Sequence, residues 1–325
     1  MDRVRTAGLR LLSWLALCAL MLPASQAQTA WKPDRRVTMV VPYSTGGGTD
    51  AIARAVAKQL QTIWEQPVVV ENLPGADGLI GTRKVIDSKP DGYTLLVQLP
   101  SLALIRHLPQ FKGIDPLAAL DPVSGMAVLY GVMVAHAKLP GNTMAETVTY
   151  CRTAPKPCTF GTTENVARIA ARMMREDSNL PNLTVLNYKG GGQLVTDLVG
   201  ESIDLSLMGI TAALPHVKSG KLKILATLAP KRSAVIPDVQ TTTEAGFAYL
   251  DFATWYGLFT PKGTPAAVQA GIAAAVREAV KDESVLKVFN TLGADALGTS
   301  PAQFGTQVRK EVERMDALVK RYPVE

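Results

Sequence analysis

The sequence is poor in the residues and motifs on which enzyme sites most often depend. It has three histidines and three cysteines in 325 residues, and aromatic residues make up 6%. His107, His136 and His216 are far apart and lack metal-ligand spacing. There is no G-x-S-x-G elbow, no Walker loop and no H-E-x-x-H helix. These absences argue against hydrolytic, nucleotide-binding and metal chemistry, so we expect no catalytic residue, no metal and no cofactor.

Strong charge and long apolar runs are also scarce. Lys and Arg number 34 against 28 Asp and Glu, and they are scattered, so no nucleic-acid surface is predicted. The first apolar run, LLSWLALCALMLP, is about a dozen residues, too short to span a bilayer. It follows three arginines and precedes an A-x-A-like site ending at Ala27. We therefore predict a signal peptide over residues 1–27, cleaved after Ala27, and a soluble periplasmic protein; a buried N-terminal helix fits the arginine-led start less well.

Two cysteines remain after such a cleavage, and they are close together. Cys151 and Cys158 bound the stretch CRTAPKPC. Neighbouring thiols in an oxidising compartment usually pair, and a metal site would need further soft ligands nearby. We predict a disulfide rather than a metal or redox site.

From Arg36 onward, buried-type strands alternate with amphipathic helices. VTMVVPY, PVVVEN and YTLLVQL are apolar runs typical of strands covered on both faces. The helix between the first two carries Thr49 or Asp50 as its expected N-cap. The order strand–helix–strand–helix–strand predicts a doubly wound parallel sheet with helices on both faces.

The alternation breaks twice, which predicts two lobes. MAVLYGVMVA and FATWYGLFTP are strand-like runs that we expect to cross between lobes as a hinge. Lobe 1 is then 28–128 plus 258–325, and lobe 2 is 129–257. Helices in the tail have clear boundaries, with Thr264–Pro265, Gly293 and Ser300–Pro301 as caps. Ligands of such α/β folds bind at the carboxyl ends of strands, here between the lobes.

Four glycine-rich loops follow predicted strands, two in each lobe. Backbone amides at a helix start favour an anion, and glycine lets a ligand approach them; taken singly, each loop is equally well explained as a tight turn. The expected ligand-binding residues are Tyr43, Ser44, Thr45, Gly46, Gly47, Gly48, Thr49, Gly75, Ala76, Asp77, Gly78, Thr162, Thr163, Tyr188, Lys189 and Gly190.

Long stretches of the sequence resemble the solute receptors of tripartite tricarboxylate transporters, the Bug family. The matching stretches include VVPYSTGGGTDAIARAVA, ENLPGADGLIGTRKVIDSKPDGYTLL, LNYKGGGQLVTDLVGESIDL and WYGLFTPKGTP. The resemblance implies a type II periplasmic binding protein that closes on a small carboxylate and delivers it to membrane transporter subunits. It places contacts at Tyr43–Thr49, Gly75–Gly78 and Tyr188–Gly190, and a monomer is the default for such a receptor.

The sequence departs from the family pattern in the second lobe. Ala167 or Arg168 stands where the family usually has a histidine, and Met208 and Gly209 replace an Asp-Asn pair. Asp77 replaces a glycine in the first lobe. The ligand is therefore not inferred to be citrate. Two other functions remain open: a clamp that serves a sensor rather than a transporter, and an enzyme on an α/β scaffold.

Overall fold

The computed structural model describes residues 31–107, 113, 115–163, 165–188, 190–233 and 235–322, with only the backbone of Asp77 and Asn165. The predicted signal peptide, residues 1–27, lies outside the described residues. Between Trp31 and Tyr322, none of the described helices is long and apolar enough to cross a membrane.

Ten strands and nine α-helices make up the described fold. The strands are β1 Val37–Val41, β2 Val68–Asn72, β3 Thr94–Gln98, β4 Leu120–His136, β5 Thr159–Thr162, β6 Thr184–Asn187, β7 Leu205–Gly209, β8 Leu222–Thr227, β9 Ala253–Pro261 and β10 Ala294–Ala296. The helices are α1 Gly48–Trp64, α2 Leu79–Ile86, α3 Met144–Thr153, α4 Asn165–Asp177, α5 Gly191–Val199, α6 Ile210–Lys218, α7 Ala266–Ala279, α8 Glu283–Leu292 and α9 Pro301–Arg321.

The strands lie in the order β2-β1-β3-β9-β4-β7-β5-β6, with β8 and β10 also paired to β4. In the first half of this sheet, β1 pairs in parallel with β2 and β3, and Met39 lies opposite Val70 and Leu95. Helices α1, α7 and α8 cover one face, and α2 and the start of α9 cover the other. The second half repeats the arrangement, with β5 parallel to β6 and β7. The predicted doubly wound α/β architecture is confirmed.

Strand β4 belongs to both halves of the sheet. Its first part, Leu120–Tyr130, pairs with β9, and its last part, Gly131–His136, pairs with β7 and β8. It begins before the predicted crossing run because the segment with Pro122 is accommodated in the strand by register shifts. A proline lacks an amide and is tolerated at such irregularities. The predicted crossing is therefore a strand of 17 residues.

The C-terminal helix α9 contacts both halves of the sheet. Near its start, the Phe304 ring lies over Gly257 of β9, where a methyl group would be only 2.0 Å from the ring. Just beyond its end, the Tyr322 hydroxyl donates a hydrogen bond of 2.8 Å to Asp177, the last residue of α4. The sequence pattern did not indicate this second attachment.

Helix boundaries follow the expected capping chemistry with two corrections. Ser300 caps α9 in a capping box with Gln303, and Gly293 ends α8 at φ 72°, as predicted. Helix α1, however, begins after Gly47 and not after Thr49 or Asp50, because Asp50 uses its carboxylate to hold the Gly46 amide at 2.9 Å. Helix α7 likewise has Pro265, not Thr264, at its N-cap.

The disulfide between Cys151 and Cys158 is present. It joins the last turn of α3 to the residue before β5, with both sulfur-bearing residues buried in the core of the second half. The prediction from spacing and compartment is confirmed.

Candidate ligand site

The two glycine-rich loops of the first half meet at one side chain, Gln98. The Tyr43 hydroxyl donates to Gln98 Oε1 at 2.9 Å, and a methyl group at Gly78 would lie 3.3 Å from Gln98 Nε2. Gln98 Nε2 itself donates to Thr82 Oγ1 at 2.9 Å. Gln98 is fully buried at the carboxyl end of β3. A buried amide with several partners has one orientation, so it fixes both loops at the same edge of the sheet.

Asp50 ties the first loop to the end of β2. Its carboxylate accepts the Gly46 amide at 2.9 Å, Asn72 Nδ2 at 3.0 Å and Arg54 Nε at 2.9 Å. Asn72 Nδ2 also donates to the Tyr43 carbonyl at 3.1 Å. Burial raises the pKa of Asp50, but the donors from Arg54, Gly46 and Asn72 and the charge of Arg54 together hold that pKa below its ordinary value. The loop is therefore held in shape by an ionised carboxylate.

The loop itself is open to solvent. Ser44–Gly47 are exposed, as are Gly75 and Ala76 of the second loop, while Thr49 is buried. The first intrahelical bond of α1 runs from the Ala51 amide to the Gly47 carbonyl. The amides that precede Ala51 in the helix point out of its N-terminus without an intrahelical acceptor. The turn directly before these amides is exposed to solvent.

Helix starts at this edge of the sheet differ from those of α3, α8 and α9, although α7, with Pro265 at its N-cap, also lacks a side-chain cap. Three helices away from the strand ends, α3, α8 and α9, are capped by their own side chains, Thr143, Asp282 and Ser300. Helices α1, α2, α5 and α6 follow parallel strands or β7, and their N-caps are glycines, which have no side chain to accept a hydrogen bond. Those glycines are Gly47, Gly78, Gly190 and Gly209. The starts of α1, α5 and α6 keep amides without an intrahelical acceptor and a partial positive charge. Helix α2 is preceded by a 3-10 turn, Ala76–Gly78, that uses the amides of Gly78, Leu79 and Ile80, so its free donors lie at the start of that turn.

A cavity of about 120 Å³, here called the crossover cavity, lies where the chain passes between the two halves. It is bounded by the end of β3, the middle of β4, the starts of α4 and β9, the ends of β7 and β8, and one residue of α9. The lining residues are Leu99, Pro100, Ser101, Leu129, Gly131, Thr163, Val166, Ala167, Leu207, Met208, Gly209, Leu228, Phe252, Ala253, Thr254 and Glu311. The Ser101 hydroxyl lies 2.9 Å from Tyr43 Oη, which links the cavity to the first glycine loop.

The second-half residues expected at the site are distributed more widely. Thr163 lines the crossover cavity, whereas Thr162 is buried and donates to Asn187 Oδ1 at 2.8 Å. The Tyr188 hydroxyl donates to Asp197 at 2.8 Å, and burial together with that carboxylate raises the pKa of Tyr188 to about 12. Gly190 is exposed at the start of α5. Lys189 and the side chain of Asp77 lie outside the described residues.

Some of the departures from the family pattern fall on the cavity wall. Met208 and Gly209, at the usual Asp-Asn position, line the crossover cavity, as does Ala167, one of the two candidates for the histidine position. Arg168 instead lines a separate surface pocket with Arg172 and Arg175 of α4. Arg168 is not among the residues that line the crossover cavity.

The chain matches the model of the tripartite tricarboxylate transporter family receptor over residues 52–323. The chain belongs to this family. The receptor is 32% identical over 293 residues to protein BugT of Bordetella pertussis, covering 89% of each chain. Its fold is similar to that of the periplasmic binding protein BugD, with 28% identity, a TM-score of 0.74, and 90% and 99% of the two chains covered. It is also similar to MatC of Rhodopseudomonas palustris with bound malate, with 28% identity, a TM-score of 0.73, and 88% and 99% covered.

The family and its structures establish a type II periplasmic-binding-protein fold for this receptor. The glycine loops were recognisable in the sequence, whereas the side chains that hold or complete them were missed. Three of these side chains are polar and lie at a helix start or a strand end: Asp50, Asn72 and Gln98. The glycine loops were selected because they join strand ends to helix starts, and the same criterion could have selected these residues. Glu311 lies on a helix remote in sequence from every glycine loop, and no sequence signal placed it in the cavity.

Proposed function

We propose that the receptor captures a small organic acid between two lobes in the periplasm and delivers it to a tripartite tricarboxylate-type transporter. One carboxylate of the ligand binds the amides at the start of α1 and at the start of the 3-10 turn before α2, around Tyr43–Thr49 and Gly75–Gly78. The rest of the ligand extends past Ser101 into the crossover cavity. Thr163 contacts it from the second lobe, and Tyr188 and Gly190 belong to the same wall. No bond is made or broken by the protein.

The single observation that carries this proposal is the contrast between capped and uncapped helices. A protein that caps α3, α8 and α9 with side chains leaves glycine at the starts of α1 and α2, where both loops converge on Gln98. Unpaired amides and a partial positive charge of about half a unit at each helix end favour a carboxylate there. The malate bound to MatC supports the same ligand class.

The lobe boundaries that we propose are 28–128 with 258–325, and 129–257. The shared strand β4 and the return at the start of β9 support a hinge at this place. The cleaved signal peptide over residues 1–27 and the periplasmic location are part of the same proposal, supported by the arginine-led N-terminus and by similarity to BugD. A monomer is sufficient, since the described site is built from one chain.

A thermal-shift screen tests the proposal. Purified mature protein is heated with mono-, di- and tricarboxylates and with neutral sugars and amides of similar size. A true ligand at about a hundredfold excess over its Kd stabilises the native state by about 2.7 kcal/mol. We expect carboxylates alone to raise the Tm. A response to neutral solutes without a response to any acid would refute the ligand class.

A further inference from the structure

Glu311 is a half-buried carboxyl group that lines the crossover cavity from helix α9. Within the described part of the chain it makes no hydrogen bond and no ion pair. Burial raises its pKa, with the charge of Asp251 acting in the same direction and that of Arg314 opposing it. Arg314 itself donates to the Asp251 carbonyl and lies over the Phe252 ring. Glu311 thus lines the cavity, and no donor among the described residues is hydrogen-bonded to its carboxyl group.

Glu311 is the one ionisable side chain among the described residues that line this cavity. Much of the remaining lining is apolar, with Val166, Met208 and Phe252 among its members. The start of α6 at Gly209 also opens into the cavity, but a helix end carries only about half a positive charge. When Glu311 is ionised, its full negative charge outweighs that contribution, and the cavity then disfavours a second carboxylate.

We propose that the receptor selects carboxylates whose far end carries a hydrogen-bond donor, an ammonium group above all, on an apolar body, and that Glu311 binds this donor. The inference rests on the proposed function, because it assumes that the first carboxylate lies at the starts of α1 and α2. The proposed ligand thus has a positive charge at its far end, where malate has a second, negatively charged carboxylate.

Three ligands of matched length separate the possibilities by isothermal titration calorimetry. Caproate ends in a methyl group, adipate in a second carboxylate and ε-aminocaproate in an ammonium group. The same series is run with shorter and longer homologues so that chain length is not confused with charge. We expect the amino acid to bind at least about tenfold more tightly than the dicarboxylate of the same length, since a hydrogen bond between charged groups is among the stronger polar contacts.

The variants are Glu311→Gln and, as a matched control, Glu313→Gln, which removes an exposed carboxylate from the same helix. Glu311→Gln should weaken binding of the amino acid about tenfold to hundredfold and improve binding of the dicarboxylate, whereas Glu313→Gln should change neither. Tighter binding of dicarboxylates at every length, or an unchanged preference in Glu311→Gln, overturns this inference and leaves the carboxylate receptor intact. Failure of every carboxylate to bind overturns both proposals.

Discussion

Replacing Gly47 by serine should make the receptor more stable and a poorer binder. Gly47 is the N-cap of α1 and has φ −78° and ψ 170°, a conformation that any residue adopts. A methyl group there would lie 3.7 Å from the Ser44 carbonyl, an ordinary contact. Serine therefore fits without strain, and its hydroxyl can accept one of the free amides of the first turn.

The two effects have different sizes. Serine in place of glycine restricts the unfolded chain, which stabilises by about 0.4–1 kcal/mol, and as a cap it adds a few tenths more. The free energy of unfolding should rise by about 1 kcal/mol, and the Tm by about 2 °C. The same hydroxyl competes with the ligand for an amide, and losing a hydrogen bond to a charged group weakens binding about tenfold to hundredfold.

Urea denaturation and calorimetry with the tightest carboxylate of the screen measure both quantities. The matched control is Thr143→Ala, which removes the capping box of α3 in the second half. That variant should lose about 1 kcal/mol of stability and keep its affinity. The reasoning is refuted if Gly47→Ser binds the carboxylate as tightly as the original protein, because the α1 amides would then not contact the ligand.

Three further predictions concern stability. Changing both Cys151 and Cys158 to alanine should lower the free energy of unfolding, measured in urea, by about 2–3 kcal/mol, and reducing the disulfide of the original protein should lower it by the same amount. Equal midpoints of urea unfolding with and without the disulfide would contradict this. Tyr322→Phe should lower the free energy of unfolding by about 1.5 kcal/mol, since it removes one hydrogen-bond donor from the Asp177 carboxylate. An unchanged midpoint of urea unfolding would show that α9 is held by packing alone. The pKa of Asp50 is lower in the folded than in the unfolded protein. The ionised carboxylate therefore stabilises the fold above about pH 4, and this stabilisation is lost as the pH falls through the folded pKa. The stability of Asp50→Asn should accordingly vary less between about pH 5 and 2 than that of the original protein, and parallel curves would refute the assignment.

Local sequence patterns were sufficient to predict most of the strands and helices of the fold. Apolar runs such as VTMVVPY are covered on both faces, which is why they were recognisable as central parallel strands. Ser300 caps the start of a helix, and Gly293 ends a helix in the left-handed conformation, which are the positions that these residue types favour. Strand β10 was not predicted, because three residues carry no usable period.

For the site, too, local features could be predicted from the sequence and long-range contacts could not. The loop glycines were visible in the sequence, because a glycine run between a strand and a helix is a local feature. Their convergence on Gln98 depends on hydrogen bonds between residues 55 positions apart, such as that of Tyr43. Periodicity has no information about such distant pairs, so the side chains that organise the loops were missed.

The sequence by itself determined the alternation of strands and helices, the glycine helix starts and the proximity of the two cysteines, because each depends on residues a few positions apart. Only the tertiary structure decided that helix α9 crosses to the second half and brings Glu311 to the cavity wall, and that Arg168 lines a different pocket. The charge at the far end of the site depends on which helix faces pack together. That packing is set by burial of apolar surface over the whole chain.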